Sequence, residues 1–382
     1  LGSELLRIQC IAIPFQVFSI IASAAGNALR RYLIVGLSSL AGLAGMFLFT
    51  VLTVSQFGAK ALPYAVLIHS IIQSLFLYPV IRKGFTPRLS PLTPDFIAIY
   101  KKLSPVIGGS IYYKTDQFVD RYLTSYLQPG SITYLSYANR VIIYLGSIIS
   151  SGLTTVAFTD LSSMKAKNLP NDYIRVFHKN FFALGLIVIP ICFLFWVVGF
   201  DSLIFFLRRG KFSYHDISAV YMVALGFLGV LVGGTMGSLS ANCFYAIQDV
   251  RTPTVIGIIG YTLGVVLKIL GFRWFGLIGV ALATSAYYVL NLAAQLVLLH
   301  QRTGIFRDQE IWKKLLYIVV ASGLASLLMK GFSTAFLEGV SEWLRVLISL
   351  VSFSGLYFLF LHKAGFREAK FLFERIRLRG TI

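Results

Sequence analysis

Arg140 lies in the stretch SYANRVII, from Ser136 to Ile143, among residues typical of a membrane span. An unpartnered guanidinium at bilayer depth costs about 2.5–3.5 kcal/mol, so it calls for a counter-charge or a ligand. Its planar fork engages two oxygens at once, which suits phosphate. Asn139 beside it could orient the guanidinium or hydrogen-bond a neighbouring helix. A second charged group lies upstream, in IYYKTDQFVDRYLTSYL. There Asp116 and Asp120 are four apart and share a helical face. Lys114 and Arg121 are seven apart and share a nearly opposite face.

Pro129-Gly130 marks a tight turn between these two stretches. At 1.5 Å per residue, Arg121 lies roughly 12 Å and Arg140 roughly 15 Å from that turn, and half a hydrocarbon core is about 15 Å. Two readings stay open. Asp120 could pair with Arg121 or Arg140 and lock the hairpin. Alternatively, the cations face a water-filled cavity and meet an anionic substrate, with Arg140, Arg121, Asn139 and Lys114 as substrate-binding residues. Asp116 and Asp120 then serve either ion pairing or the binding of a coupling proton or sodium ion. Lys268, one turn from Arg273 and the end of its span, is expected to snorkel to the interface.

The elements that must position these groups are membrane helices. The chain has 382 residues, 57% hydrophobic and only 13% charged, where soluble domains carry about 25% charged residues. The apolar stretches are continuous and do not alternate, so an outer-membrane barrel is excluded. About eleven spans are expected, approximately 5–28, 32–54, 60–81, 97–127, 131–157, 178–200, 216–246, 254–272, 275–300, 312–329 and 343–362.

The net charge of +19 reports topology more than nucleic-acid binding. Most of the 34 lysines and arginines fall after odd-numbered spans or in the tail, which places the C-terminus in the cytoplasm. Cys10, Cys192 and Cys243 lie in apolar stretches without CxxC spacing and read as packing residues. The five histidines form no metal motif, and no nucleophile elbow, P-loop or dinucleotide fingerprint occurs. The reading is therefore a non-enzyme with no metal and no cofactor, and coupling to the membrane potential, Na+ or H+ is left open.

An internal repeat organises the chain. The segment from Phe57-Gly58 to Gly84-Phe85 has a counterpart from Phe275-Gly276 to Gly304-Ile305-Phe306, at an offset of about 218 residues. Upstream, SAAGNALRRYLIVG faces SANCFYAIQDVRTPTVIG. Spans 4–9 then form one six-helix lobe, and spans 1–3 the second half of an earlier lobe lacking three helices at its front. Two parallel lobes around a midplane site is a transporter architecture. The expected divisions are 1–90, half of an N-terminal lobe; 91–304, the C-terminal lobe; 305–362, two additional helices; and 363–382, a basic tail helix on the membrane surface.

At the charged hairpin the chain resembles a known family. VDRYLTSYLQPGSITYLSYANRV is similar to a hairpin of MurJ-type (MviN) lipid II flippases of the MOP exporter superfamily. FFLRRGKFSYHDI and FYAIQDVRTP resemble two further motifs of that family. The resemblance implies an all-α polytopic protein of the bacterial inner membrane, with fourteen spans of which this chain holds about the last eleven, as if truncated at its N-terminus. It implies export of undecaprenyl-pyrophosphate-linked peptidoglycan precursor, lipid II, by alternating access, with Arg140 at the position of a cavity arginine that meets the pyrophosphate. Expected partners are that substrate, membrane lipids and cell-wall synthesis proteins. The alternatives are a flippase for another polyprenyl-linked glycan, a related multidrug exporter, or a non-transporting membrane scaffold. Two positions depart from the family pattern: Asn139 stands where the family has Asp, and Thr159 stands where it has Pro.

Overall fold

A computed structural model describes residues 2–82, 93–166, 170–208, 212–305, 310–337 and 339–364. The expected basic tail helix lies beyond residue 364, outside the described residues, as does the expected division near residue 90. The described residues form helices and no strand. Contacts divide the chain into two compact units, Leu1–Pro94 and Asp95–Ile382.

The first unit holds α1 (Gly2–Ala28), α2 (Tyr32–Phe57) and α3 (Ala61–Ile81). Each is long and apolar enough to cross a membrane. Small residues let them approach, as expected where lipid is as apolar as the packed face. A Cβ at Gly42 would lie 2.9 Å from the His69 ring, and the Ser19 and Ser74 hydroxyls hydrogen-bond at 2.9 Å between α1 and α3.

The second unit holds α4 (Pro94–Lys114), α5 (Asp116–Thr124), α6 (Ser131–Ala166), α7 (Pro170–Leu207), α8 (Tyr214–Gly226), α9 (Leu228–Ala246), α10 (Arg251–Thr303), α11 (Glu310–Phe336) and α12 (Glu342–Lys363). Its centre is α7, whose Phe177, Phe181, Leu184 and Val188 are buried against α9, α11, α12 and the α6–α8 side. Seven helices of the described chain meet the length and hydropathy of a span, and nine if each of two bent pairs counts as one. One pair is α8 and α9, bent by 41° where Gly226 and Gly229 press against Ala281 and Ser285 of α10. The Ser285 hydroxyl donates to the Gly226 carbonyl at 2.5 Å, so the backbone group freed by the bend is not left unpaired. The expected fourth span is divided at Thr115 into α4 and α5. Thr159, where a proline would break the ladder, instead donates its hydroxyl to Val156 and α6 runs on.

The 53 residues of α10 contain two of the expected spans, separated at Gly276. Gly276 has φ 56° and ψ −129°, and Gly58, its counterpart in the repeat, has φ 53° and ψ −130°. This region is open to glycine and strained for any residue with a Cβ.

The repeat reaches further into the backbone. Arg30 and Gln248 are the two described non-glycine residues with positive φ, at 57° and 61°. Arg30 N–H donates to Asn27 and Arg31 N–H to Gly26, while Gln248 N–H donates to Tyr245 and Asp249 N–H to Phe244. Each set is a Schellman helix ending, and the two are separated by the same offset as the glycines.

Candidate functional site

Asp116 owes its position to the break at Thr115. The Thr115 hydroxyl donates to the Tyr112 carbonyl at 2.6 Å and is hydrogen-bonded to the Tyr261 hydroxyl at 2.7 Å, which ends α4 there. Asp116 then stands in the first turn of α5, where a carboxylate complements the helix dipole. Asp120 follows one turn later, on the same face.

Both carboxylates are held by Lys268. Its ammonium is fully buried and lies 2.6 Å from Asp116 and 2.6 Å from Asp120. The Tyr287 hydroxyl also donates to Asp116, at 3.3 Å, and the ammonium sits 5.7 Å from the centre of the Tyr287 ring. The expectation that Lys268 snorkels is therefore corrected. The span ends at the Gly276 turn, eight residues on, which puts Lys268 roughly 12 Å in, at 1.5 Å per residue. Arg273, exposed, is the residue at the boundary. Of the two readings left open, the pairing of Asp120 with Arg121 or Arg140 is not the one formed: Asp120 pairs with Lys268 of α10.

The arginines lie elsewhere. Arg121 of α5 and Arg140 of α6 are both exposed and line one cavity of about 190 Å³, together with Gln117, Asp120 and Asn139. Among the described residues, neither arginine forms an ion pair. Lys114, the last residue of α4, is exposed and lines an adjoining cavity of about 330 Å³ that shares Gln117, Asp120, Asn139 and Ile143 with the first. All six residues singled out from the sequence thus border two connected spaces in the second unit. The arrangement can accept an anion at the two guanidiniums that line the first cavity, because the nearby carboxylates are engaged by Lys268.

Sequence reasoning missed Lys268 as the counter-charge, and it also missed Asn291 and Gln295, two amide residues of α10 that line a third cavity. Lys268 could have been found by measuring its depth from the glycine turn rather than from Arg273. The amides carry no motif that would have marked them. Among the described residues, no group of His, Cys, Asp or Glu is arranged to hold a metal ion.

Comparison with known proteins agrees with this architecture. A Vibrio cholerae protein named "Probable lipid II flippase MurJ" is 24% identical over 287 residues, covering 74% of this chain and 54% of the relative. A Buchnera aphidicola protein of the same name is 24% identical over 378 residues, covering 96% of this chain and 73% of the relative. The chain thus spans about half the length of the Vibrio relative. A solved structure, "Lipid II flippase MurJ, inward closed conformation", has the same fold, with a TM-score of 0.68 at 18% identity over 94% of this chain and 74% of that one. The model of one family, described as "Lipid II flippase MurJ", matches residues 1–350, and the chain, a polytopic membrane protein, belongs to that family.

Proposed function

We propose that the protein moves a lipid-linked peptidoglycan precursor, lipid II, across the inner membrane by alternating access, and that Arg140 and Arg121 hold its diphosphate. The observation that carries this reading is the pair of exposed arginines from two helices on one cavity, beside carboxylates already engaged by a lysine. A guanidinium pair with its nearest carboxylates occupied favours a phosphate-bearing ligand over a cation. Asn139 borders both connected cavities and is suited to orienting the Arg140 fork. Lys114 supplies further positive charge along the path. The basic loops and tail support a cytoplasmic C-terminus.

The test is flipping in liposomes, with fluorescent lipid-linked muropeptide and the full-length protein. Wild type should flip. Arg140→Ala should lose most of the rate, and Arg140→Lys, which keeps the charge without the fork, should restore only part of it. Equal flipping by wild type and Arg140→Ala, with both folded, would make the arginine structural and remove this mechanism.

A further inference from the structure

Next to the charged cavities the second unit contains a third, of about 360 Å³, which shares Ser110, Tyr113, Asp116 and Tyr288 with its neighbour. It lies between α9 and the two halves of α10, near the end where α9 turns into α10. We propose that this pocket binds a sugar ring of the lipid-linked substrate; the inference rests on the flippase reading and extends it from the diphosphate to the glycan.

Four observations carry it. First, the side-chain oxygens of Asn291 and Gln295 are buried without a hydrogen-bond partner, and both residues line the pocket. Gln295 as a whole is only 9% exposed. Buried polar atoms left unpaired are costly; the Asn291 oxygen packs against Gly260, and a ligand that draws these two amides, one helical turn apart, into hydrogen bonds removes that cost. Second, the wall is built of tyrosines. Tyr113, Tyr261 and Tyr287 spend their hydroxyls on Thr254, Thr115 and Asp116, so they offer rings and do not satisfy the amides. Third, the volume is about ten times the ~30 Å³ share of one water and within the range of small-ligand pockets. Fourth, charge discriminates among occupants. No lysine or arginine lines the pocket, which disfavours phosphate or a peptide carboxylate. Its one carboxylate, Asp116, is held by Lys268, which disfavours an organic cation. A neutral ring with several hydroxyls remains. The order of cavities also fits a sugar joined directly to a diphosphate, because the arginine cavity and this one are linked by the space between them.

Saturation-transfer NMR with N-acetylglucosamine tests this on the full-length protein in lipid nanodiscs, with tetramethylammonium as the cationic control. Gly237→Leu is the blocking variant, because nothing lies within 4 Å of a Cβ there and the new side chain extends into the cavity. The wild type should transfer saturation to the sugar and not to tetramethylammonium, and Gly237→Leu should abolish it. Gln295→Leu should weaken binding roughly five- to tenfold, the loss of about one hydrogen bond. Should a variant fail to fold, nuclear Overhauser contacts between sugar protons and tyrosine rings in the wild type decide instead. No transfer in the wild type, equal transfer in Gly237→Leu, or binding of tetramethylammonium in place of sugar each overturns the proposal. Liposome flipping separates the two readings. A wild type that binds sugar yet fails to flip lipid-linked muropeptide removes the flippase reading and leaves the pocket. One that flips without binding sugar removes the pocket alone.

Discussion

Lys268 joins two carboxylates on α5 to α10, and its ammonium has no contact with solvent. Desolvating an ion is expensive, and such a group is stable only while its partners stay in place. Removing the lysine should therefore do more harm than removing the whole cluster. Lys268→Met leaves two carboxylates facing each other without a counter-charge, and should cost about 3–5 kcal/mol, the range for breaking a buried pair. Adding Asp116→Asn and Asp120→Asn to Lys268→Met should recover a large part of that loss. Thermal unfolding of the purified single and triple variants measures the coupling. If the triple variant is no more stable than Lys268→Met, the cluster is not an electrostatic unit. Arg140 and Arg121 differ in kind. Both are exposed, so Arg121→Ala should leave stability nearly unchanged, within about 0.5 kcal/mol as for exposed surface changes, while slowing flipping.

Turns set the depth of these charges, and two glycines set the turns. Gly58 and Gly276 share a backbone conformation that a Cβ strains, so Gly276→Ala and Gly58→Ala should each destabilise by about 1–3 kcal/mol. Gln248→Gly, at the equivalent of Arg30 with φ 61°, should instead stabilise slightly, because glycine is the residue favoured at a Schellman ending. Melting temperatures of the three variants test the pair of signs. This repeat was legible in the sequence because FG and the basic helix ends recur at a fixed offset. The spans were legible as well, since continuous apolar runs of about 20 residues have few alternatives. What escaped was tertiary. The break at Thr115 rests on Tyr261, 146 residues away, and the partner of Asp120 on Lys268, 148 residues away. Neither has a local signal. The candidate cations were found by type and depth, but which of them would be neutralised depended on how α10 packs on α5.

At the scale of the molecule, the same chemistry constrains orientation. Basic loops resist translocation, and the bias of lysine and arginine toward one set of loops predicts which helix ends face the cytoplasm. The C-terminal end of α10, where Gln301 is exposed, belongs to the basic set. The C-terminal end of α11, where Ala335 is exposed, belongs to the other. Replacing Cys10, Cys192 and Cys243 first gives a background without native thiols. In intact spheroplasts, a membrane-impermeant maleimide should then label Ala335→Cys and leave Gln301→Cys unlabelled until the cells are opened. The reverse pattern would invert every helix of the second unit. The pocket proposed for the sugar, which lies near the turn between α9 and α10, would then lie toward the outer face, and a substrate of the proposed kind entering from the cytoplasm would meet Arg140 first. Labelling of this pair therefore fixes the direction in which the three connected cavities are traversed.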